Sequence, residues 1–285
     1  MASRCSISYE LPIIDPESDA SVRTMHPERI QRAAQILWKC WSERSRIDAL
    51  PSDCRPVGRA DGYRIQAEIA RLSGQQTFGW KIAATSSAGQ KHIGVDGPMA
   101  GRLLSKRVLR ADTPVPLAGN LMCVAEAEFA FRFGHDLPPR DQPYSVREVM
   151  SAIDALLPAI EIPDSRYNEF VRAGTAPLIA DNACASWFIP GVETATEWRD
   201  RSLVEHLVTV SRNGRIAGKG SGANVLGDPK FALAWIANEL TAFGEGLRAG
   251  QVVTTGTCVV PVEIGSGDLL IADFAEFGMV NIRIE

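Results

Sequence analysis

Glu126 and Glu128 stand two residues apart in the alternating stretch CVAEAEFAFRF, Cys123 to Phe133. In a β-strand, side chains two apart share a face, so these carboxylates point one way with Arg132 while Phe129, Phe131 and Phe133 point the other. The aromatic face has to be buried. Twice the rise per residue places the two glutamate Cα atoms roughly 6.5–7 Å apart, close enough to converge on one cation. The pair is either half of a metal site or the wet face of a half-buried strand. Glu161 lies in the short apolar run PAIEIPDSRY, with Ile160 and Ile162 on one side and the carboxylate on the other. A lone anion in an apolar strand is costly, which groups Glu161 with Glu126 and Glu128. Oxygen-only ligands suit a hard ion, Mg²⁺ or Mn²⁺, with open positions for water and a chelating substrate.

Lys81 is the one charge inside the apolar run TFGWKIAAT. It either snorkels to an edge or sits beside carboxylates that compensate its desolvation. Asp96 occupies a turn among Gly94, Gly97, Pro98 and Gly101, and IGVDGPMAGRLL reads as loop. Asp181 and Asn182 interrupt LIADNACASWFIPG, as groups that a strand end or an active-site turn would expose. Other chemistries find no motif. The chain has no G-x-S-x-G elbow, no H-E-x-x-H and no G-x-G-x-x-G after a strand, and Lys219 is followed by Gly where a phosphate loop needs Ser or Thr.

The elements that must position these groups can be read in order. Pro27 opens a helix with a stripe of Ile30, Ala33, Ala34, Leu37 and Trp41, and a second helix runs from about Asp61 to the stop at Gly74. Residues 1 to about 24 are an arm without period. Ser145 and Glu148 form a capping box for a helix with Val149, Ile153 and Leu156 buried, ending at Pro158. Leu203 to Ala217 reads as a hairpin around Asn213-Gly214, followed by the loop GKGSGANVLGDP and a helix capped by Asp228. The remainder is strand, turn and strand. Helices first and mostly strands after argue for an α+β fold, with residues 1–76 as an N-terminal arm and helical subdomain and residues 77–285 as the catalytic domain.

With 45% hydrophobic and 22% charged residues, the 285-residue chain reads as an ordinary globular protein. A formal net charge of −4 without a long Lys/Arg run excludes a nucleic-acid or anionic-membrane footprint. No apolar window is long enough to span a bilayer and no signal peptide is evident, so a cytoplasmic location is expected. Six scattered cysteines without a C-x-x-C pair read as reduced thiols, and the four histidines do not cluster.

GWKIAATS, IGVDGPMAGRL, EAEFAF, PAIEIPDSRY, LIADNACASWFIPG and ALAWIANEL with GLRAGQVVTTGT, taken in order, resemble the 2-keto-4-pentenoate hydratase and 4-oxalocrotonate decarboxylase branch of the fumarylacetoacetate hydrolase superfamily. The resemblance covers about residue 27 to the end. It implies a mixed β-roll core, a homo-oligomer, and a divalent metal on Glu126, Glu128 and Glu161. It also implies that Lys81 lies beside a small 2-oxo or 2-hydroxydienoate substrate, with Asp96 and Asp181 moving protons and Ser186 and Thr257 as substrate contacts. The carbon–carbon hydrolases of that superfamily often carry a lysine where this chain has Asp181-Asn182, and a His-Glu pair on a lid; no histidine here has Glu three or four positions on. The resemblance therefore implies a hydro-lyase of aromatic-compound catabolism, making a 4-hydroxy-2-oxo acid. A decarboxylase or other metal-dependent 2-oxo acid enzyme, and a non-catalytic partner subunit, stay open.

Overall fold

The computed structural model describes residues 25–285, and the arm expected over residues 1 to 24 lies outside the described residues. α1 (Pro27–Glu43) begins with proline in its first turn and buries Ile30, Ala33, Ala34, Leu37, Cys40 and Trp41 along one stripe. α2 (Arg59–Ser73) packs beside it and stops at Gly74, left-handed at φ 63°. Both helices follow their apolar period and end where it fails.

The sheet that follows is mixed. β1 (Thr77–Ala83), β2 (Met99–Leu104), β3 (Val124–Phe133), β4 (Ile153–Ile162), β5 (Trp187–Pro190) and β8 (Val252–Thr257) take the order β2-β1-β8-β3-β4-β5, and β9 (Val262–Glu263) adds to β3. Only β1 and β8 run parallel among these pairs. Just beyond β2, Val108 bridges to Phe188 of β5, so the two edges of the sheet curl together. Leu103, Ala130, Ala155, Leu157, Ala159, Phe188 and Val252 fill the concave side. On the convex side Phe129, Phe131 and Phe133 are fully buried, at roughly 1.5–3 kcal/mol per ring. A one-residue slip would turn those rings to the wrong face, so their burial also fixes where Glu126 and Glu128 point.

A second sheet, β11-β10-β6-β7, is built from β6 (Leu207–Arg212), β7 (Arg215–Ser221), β10 (Leu269–Asp273) and β11 (Met279–Arg283). The hairpin turn has Asn213 and Gly214 left-handed at φ 52° and 78°, as its sequence demands. α6 (Pro229–Ala242) is capped by the Asp228 side chain on Lys230 N at 2.8 Å. One connected apolar core joins Leu37 and Ile65 of the helices to Ile160 of the sheet and Leu233 of α6. The architecture is the α+β roll expected, with its site at one end of the curled sheet.

Three local expectations are corrected. The glycine-rich stretch read as loop, Ile93 to Leu104, starts at the last residue of α3 (Ser87–Ile93) and contains the fully buried strand β2. Gly101 sits inside that strand because a Cβ there would meet Asn182 O at 2.4 Å. The capped helix α4 (Val146–Ser151) is short, and Ile153 and Leu156 belong to β4. Apolar residues on both faces of a doubly buried strand mimic a helical period. Pro158 does not end a helix; it lies in β4 with its carbonyl accepting from Gly191 N at 2.8 Å, so its missing N–H falls beyond the end of β5. Finally β7 runs on to Ser221, paired with Leu207, through residues read as loop.

Candidate metal centre

Antiparallel pairing of β3 with β4 sets Glu126 opposite Glu161 and Glu128 opposite Ala159. One carboxylate oxygen from each of Glu126, Glu128 and Glu161 lies within 4.8 Å of the others. Glu128 and Glu161 are completely buried and Glu126 is half-buried. Lys81 reaches the same place from β1, 2% exposed, with Nζ 3.1 Å from Glu161 Oε1. The lysine does not snorkel. It joins the carboxylates.

The neighbours hold these groups by their other atoms. Glu128 Oε2 accepts from Thr254 Oγ1 and from Gly256 N, the latter at 2.9 Å. Gly256 adopts φ 102°, and a Cβ there would fall 2.1 Å from Thr85 Oγ1, so only glycine presents that N–H. Lys81 Nζ donates to the carbonyl of Ala183 at 3.1 Å. Glu128 Oε1 and Glu161 Oε2 accept no hydrogen bond among the described residues, and Glu161 Oε1 has only the Lys81 ion pair.

Electrostatics follow from this crowding. Burial, then repulsion from Glu161 and Glu126, raises the Glu128 carboxyl well above the ordinary range. Burial likewise raises Glu126 and pushes Glu161 up to about 7, in each case against the attraction of Lys81. Burial alone would lower the lysine, but Glu161, Glu126 and Glu128 outweigh it and keep the ammonium charged. With all three carboxylates ionised, as a bound cation would require, they and the one ammonium carry a charge of −2. Buried carboxylate oxygens without donors, an all-oxygen donor set and that deficit fit one hard divalent cation. Glu126, Glu128 and Glu161 are the residues that would hold it.

Residues 103–285 match the fumarylacetoacetate (FAA) hydrolase C-terminal family. The chain belongs to that family. It is 32% identical to a 2-keto-4-pentenoate hydratase of Burkholderia vietnamiensis, over 80% of this chain and 87% of that protein. It is 29% identical to a 4-oxalocrotonate decarboxylase of Pseudomonas putida, over 92% of this chain and 98% of that one. A solved 4-oxalocrotonate decarboxylase from Pseudomonas putida G7, complexed with magnesium and adipate, superposes with a TM-score of 0.83 at 27% identity, covering 93% of this chain and 100% of that one.

Within this family member the other anticipated residues divide. Asp181 is buried, not exposed; Oδ1 is bound by Arg166 Nε, and Oδ2 accepts from Ser165 Oγ at 2.7 Å and Arg166 N at 3.0 Å. Asn182 is buried too, in a turn after α5 (Thr175–Ala180). Asp96 has a side chain 76% exposed, accepts from Thr175 Oγ1 at 2.8 Å and faces Arg59 at 3.6 Å; none of these contacts is with the carboxylate cluster. Ser186 is 7% exposed and its hydroxyl bonds to no described residue. Thr257 is the register partner of Glu128, with its hydroxyl donating to Val259 O at 2.6 Å. Sequence reading missed Thr254, Gly256 and the Ala183 carbonyl. The TTGT run was the visible signal for the first two, whereas a carbonyl leaves none.

No helix among the described residues is long and apolar enough to cross a membrane. Cys40, Cys54, Cys123, Cys184 and Cys258 are free thiols.

Proposed function

We propose that this protein is a hydratase, loaded with Mg²⁺ or Mn²⁺ on Glu126, Glu128 and Glu161, that adds water to a 2-hydroxy-2,4-dienoate to give a 4-hydroxy-2-oxo acid. The observation that carries this reading is the cluster of three carboxylates with Lys81 in contact. A divalent ion held by Glu126, Glu128 and Glu161 would supply an electrophile for such a substrate. Lys81 keeps its proton under the field of three glutamates, so it serves as a fixed positive charge beside the oxygen at C2. Charge builds on that oxygen both when the dienol becomes the 2-oxo-3-enoate and when water adds at C4. Thr254 and Gly256 hold Glu128 still while this happens. Ser186 is the proposed substrate contact; Thr257, whose hydroxyl is engaged by Val259, is a weaker one. Asp181 and Asp96 take no proton in this reading, because the first has both oxygens occupied and the second, among the described residues, bonds to Arg59 and Thr175 and not to the carboxylate cluster.

The similarity to 4-oxalocrotonate decarboxylases supports a second reading, loss of CO₂ from 2-oxohex-3-enedioate, which passes through the same C2 oxyanion. One assay separates them. The protein is incubated with Mg²⁺ and either 2-hydroxypenta-2,4-dienoate or 2-oxohex-3-enedioate, following ultraviolet absorbance and CO₂. Loss of the dienol without CO₂ is the expected result. CO₂ from the diacid transfers the assignment to decarboxylation, and no turnover of either substrate overturns both.

A further inference from the structure

Asn182, Ala183 and Cys184 are consecutive left-handed residues, at φ 55°, 50° and 59°. Asparagine tolerates that conformation; alanine and cysteine are disfavoured in it. Such a turn persists only where its surroundings over-determine it. On one side, Asn182 Oδ1 accepts from Arg102 N at 2.7 Å and its Nδ2 donates to Arg102 O at 2.8 Å, so the amide clamps the backbone of β2. On the other, Arg166 holds both the carboxylate and the backbone carbonyl of Asp181. Gly101, which pairs with Lys81 across β1 and β2, leaves the space into which Asn182 O fits. The turn ends with the Ala183 carbonyl at 3.1 Å from Lys81 Nζ.

We infer that Asn182 is a positioning residue, whose clamp on Arg102 sets the left-handed turn so that the Ala183 carbonyl aims the Lys81 ammonium. An ammonium has three N–H donors. The Ala183 carbonyl takes one and Glu161 attracts a second, which leaves the third for substrate. Without the carbonyl the ammonium swings toward the carboxylates. The reaction it serves rests on the hydratase reading; the aiming does not.

The test compares Asn182→Ala with Asn182→Gly, the second of which removes the clamp but relieves the left-handed strain. Thermal melts, Mg²⁺ calorimetry and turnover of 2-hydroxypenta-2,4-dienoate are measured together. The expected result is a kcat lowered about 10²-fold in both variants, the size of a small misplacement, with KM and Mg²⁺ affinity unchanged. Asn182→Gly is expected to melt higher than Asn182→Ala yet to recover no turnover. Wild-type kcat in Asn182→Gly overturns the inference, since the side chain then serves folding alone. A second readout is independent of activity: the slowly exchanging ¹⁵N ammonium resonance of Lys81, assigned by its loss in Lys81→Met, is expected to vanish or broaden in Asn182→Gly. If the wild type turns over neither substrate but this resonance behaves as expected, the hydratase reading fails and the positioning role stands. A resonance unchanged in Asn182→Gly removes it.

Discussion

Glu126 faces Glu161 directly across the β3–β4 ladder, and like charges in that position repel unless something lies between them. Glu128 adds a third carboxylate to the pair, and its own carboxyl is raised by burial and then by Glu161 and Glu126. Glu128→Gln removes one repelling charge while keeping the Lys81 contact to Glu161. At pH about 8 and without metal, the variant is expected to melt roughly 2 °C higher, the shift that about 1 kcal/mol gives a chain of this length. It should also lose the Mg²⁺-induced rise in melting temperature that the wild type shows. A metal-dependent shift of undiminished size would remove Glu128 from the ligand set.

Metal-free stability should depend on pH in a defined direction. Glu161 is pushed up to about 7 in the folded protein from an ordinary 4.5, chiefly by burial. Between those values the folded state keeps a proton that the unfolded chain has released, so stability is greater at the acid end and declines as pH rises toward about 7. Mg²⁺ has to displace that proton, so its affinity should climb over the same window. Melts in EDTA and calorimetry in buffers of different ionisation enthalpy check both. Metal-free stability rising through that window would contradict the buried, metal-competent arrangement.

Lys81→Met leaves Glu161 buried without its ion-pair partner. Removing one member of a buried pair costs about 3–5 kcal/mol, less whatever protonation of the carboxylates relieves. The remaining cluster carries one more uncompensated negative charge, so Mg²⁺ should bind more tightly and restore the melting temperature. It should not restore turnover, which is expected to fall about 10²–10⁴-fold. Recovery of activity with Mg²⁺ would show that the lysine only offsets charge.

Gly256→Ala tests the frame rather than the ligands. The added methyl would enter Thr85, and the left-handed φ of 102° is strained for alanine, so the N–H that holds Glu128 should move. Mg²⁺ affinity should drop about 10-fold or more, as for other outer-shell partners. Ser145→Ala is the comparison: it breaks the exposed capping box of α4 at about 1 kcal/mol and should leave Mg²⁺ affinity unchanged. Equal Mg²⁺ loss in both variants would mean that the site merely follows global stability.

Alternation in CVAEAEFAFRF was enough to place three rings on one face and two glutamates on the other, because a strand leaves its side chains no other choice. The start of α1 at Pro27, the stop of α2 at Gly74 and the turn at Asn213-Gly214 were legible for the same reason: each is set by local backbone chemistry. Gly101 and Pro158 misled because their usual local meanings, loop and helix end, gave way to a close approach by Asn182 and to the end of β5. The meeting of Glu161 with Glu126, the choice of Lys81 as their cation and the burial of Asp181 came from pairing and packing between distant segments. Such contacts depend on strand register and on which edges curl together, and no short window of residues specifies either.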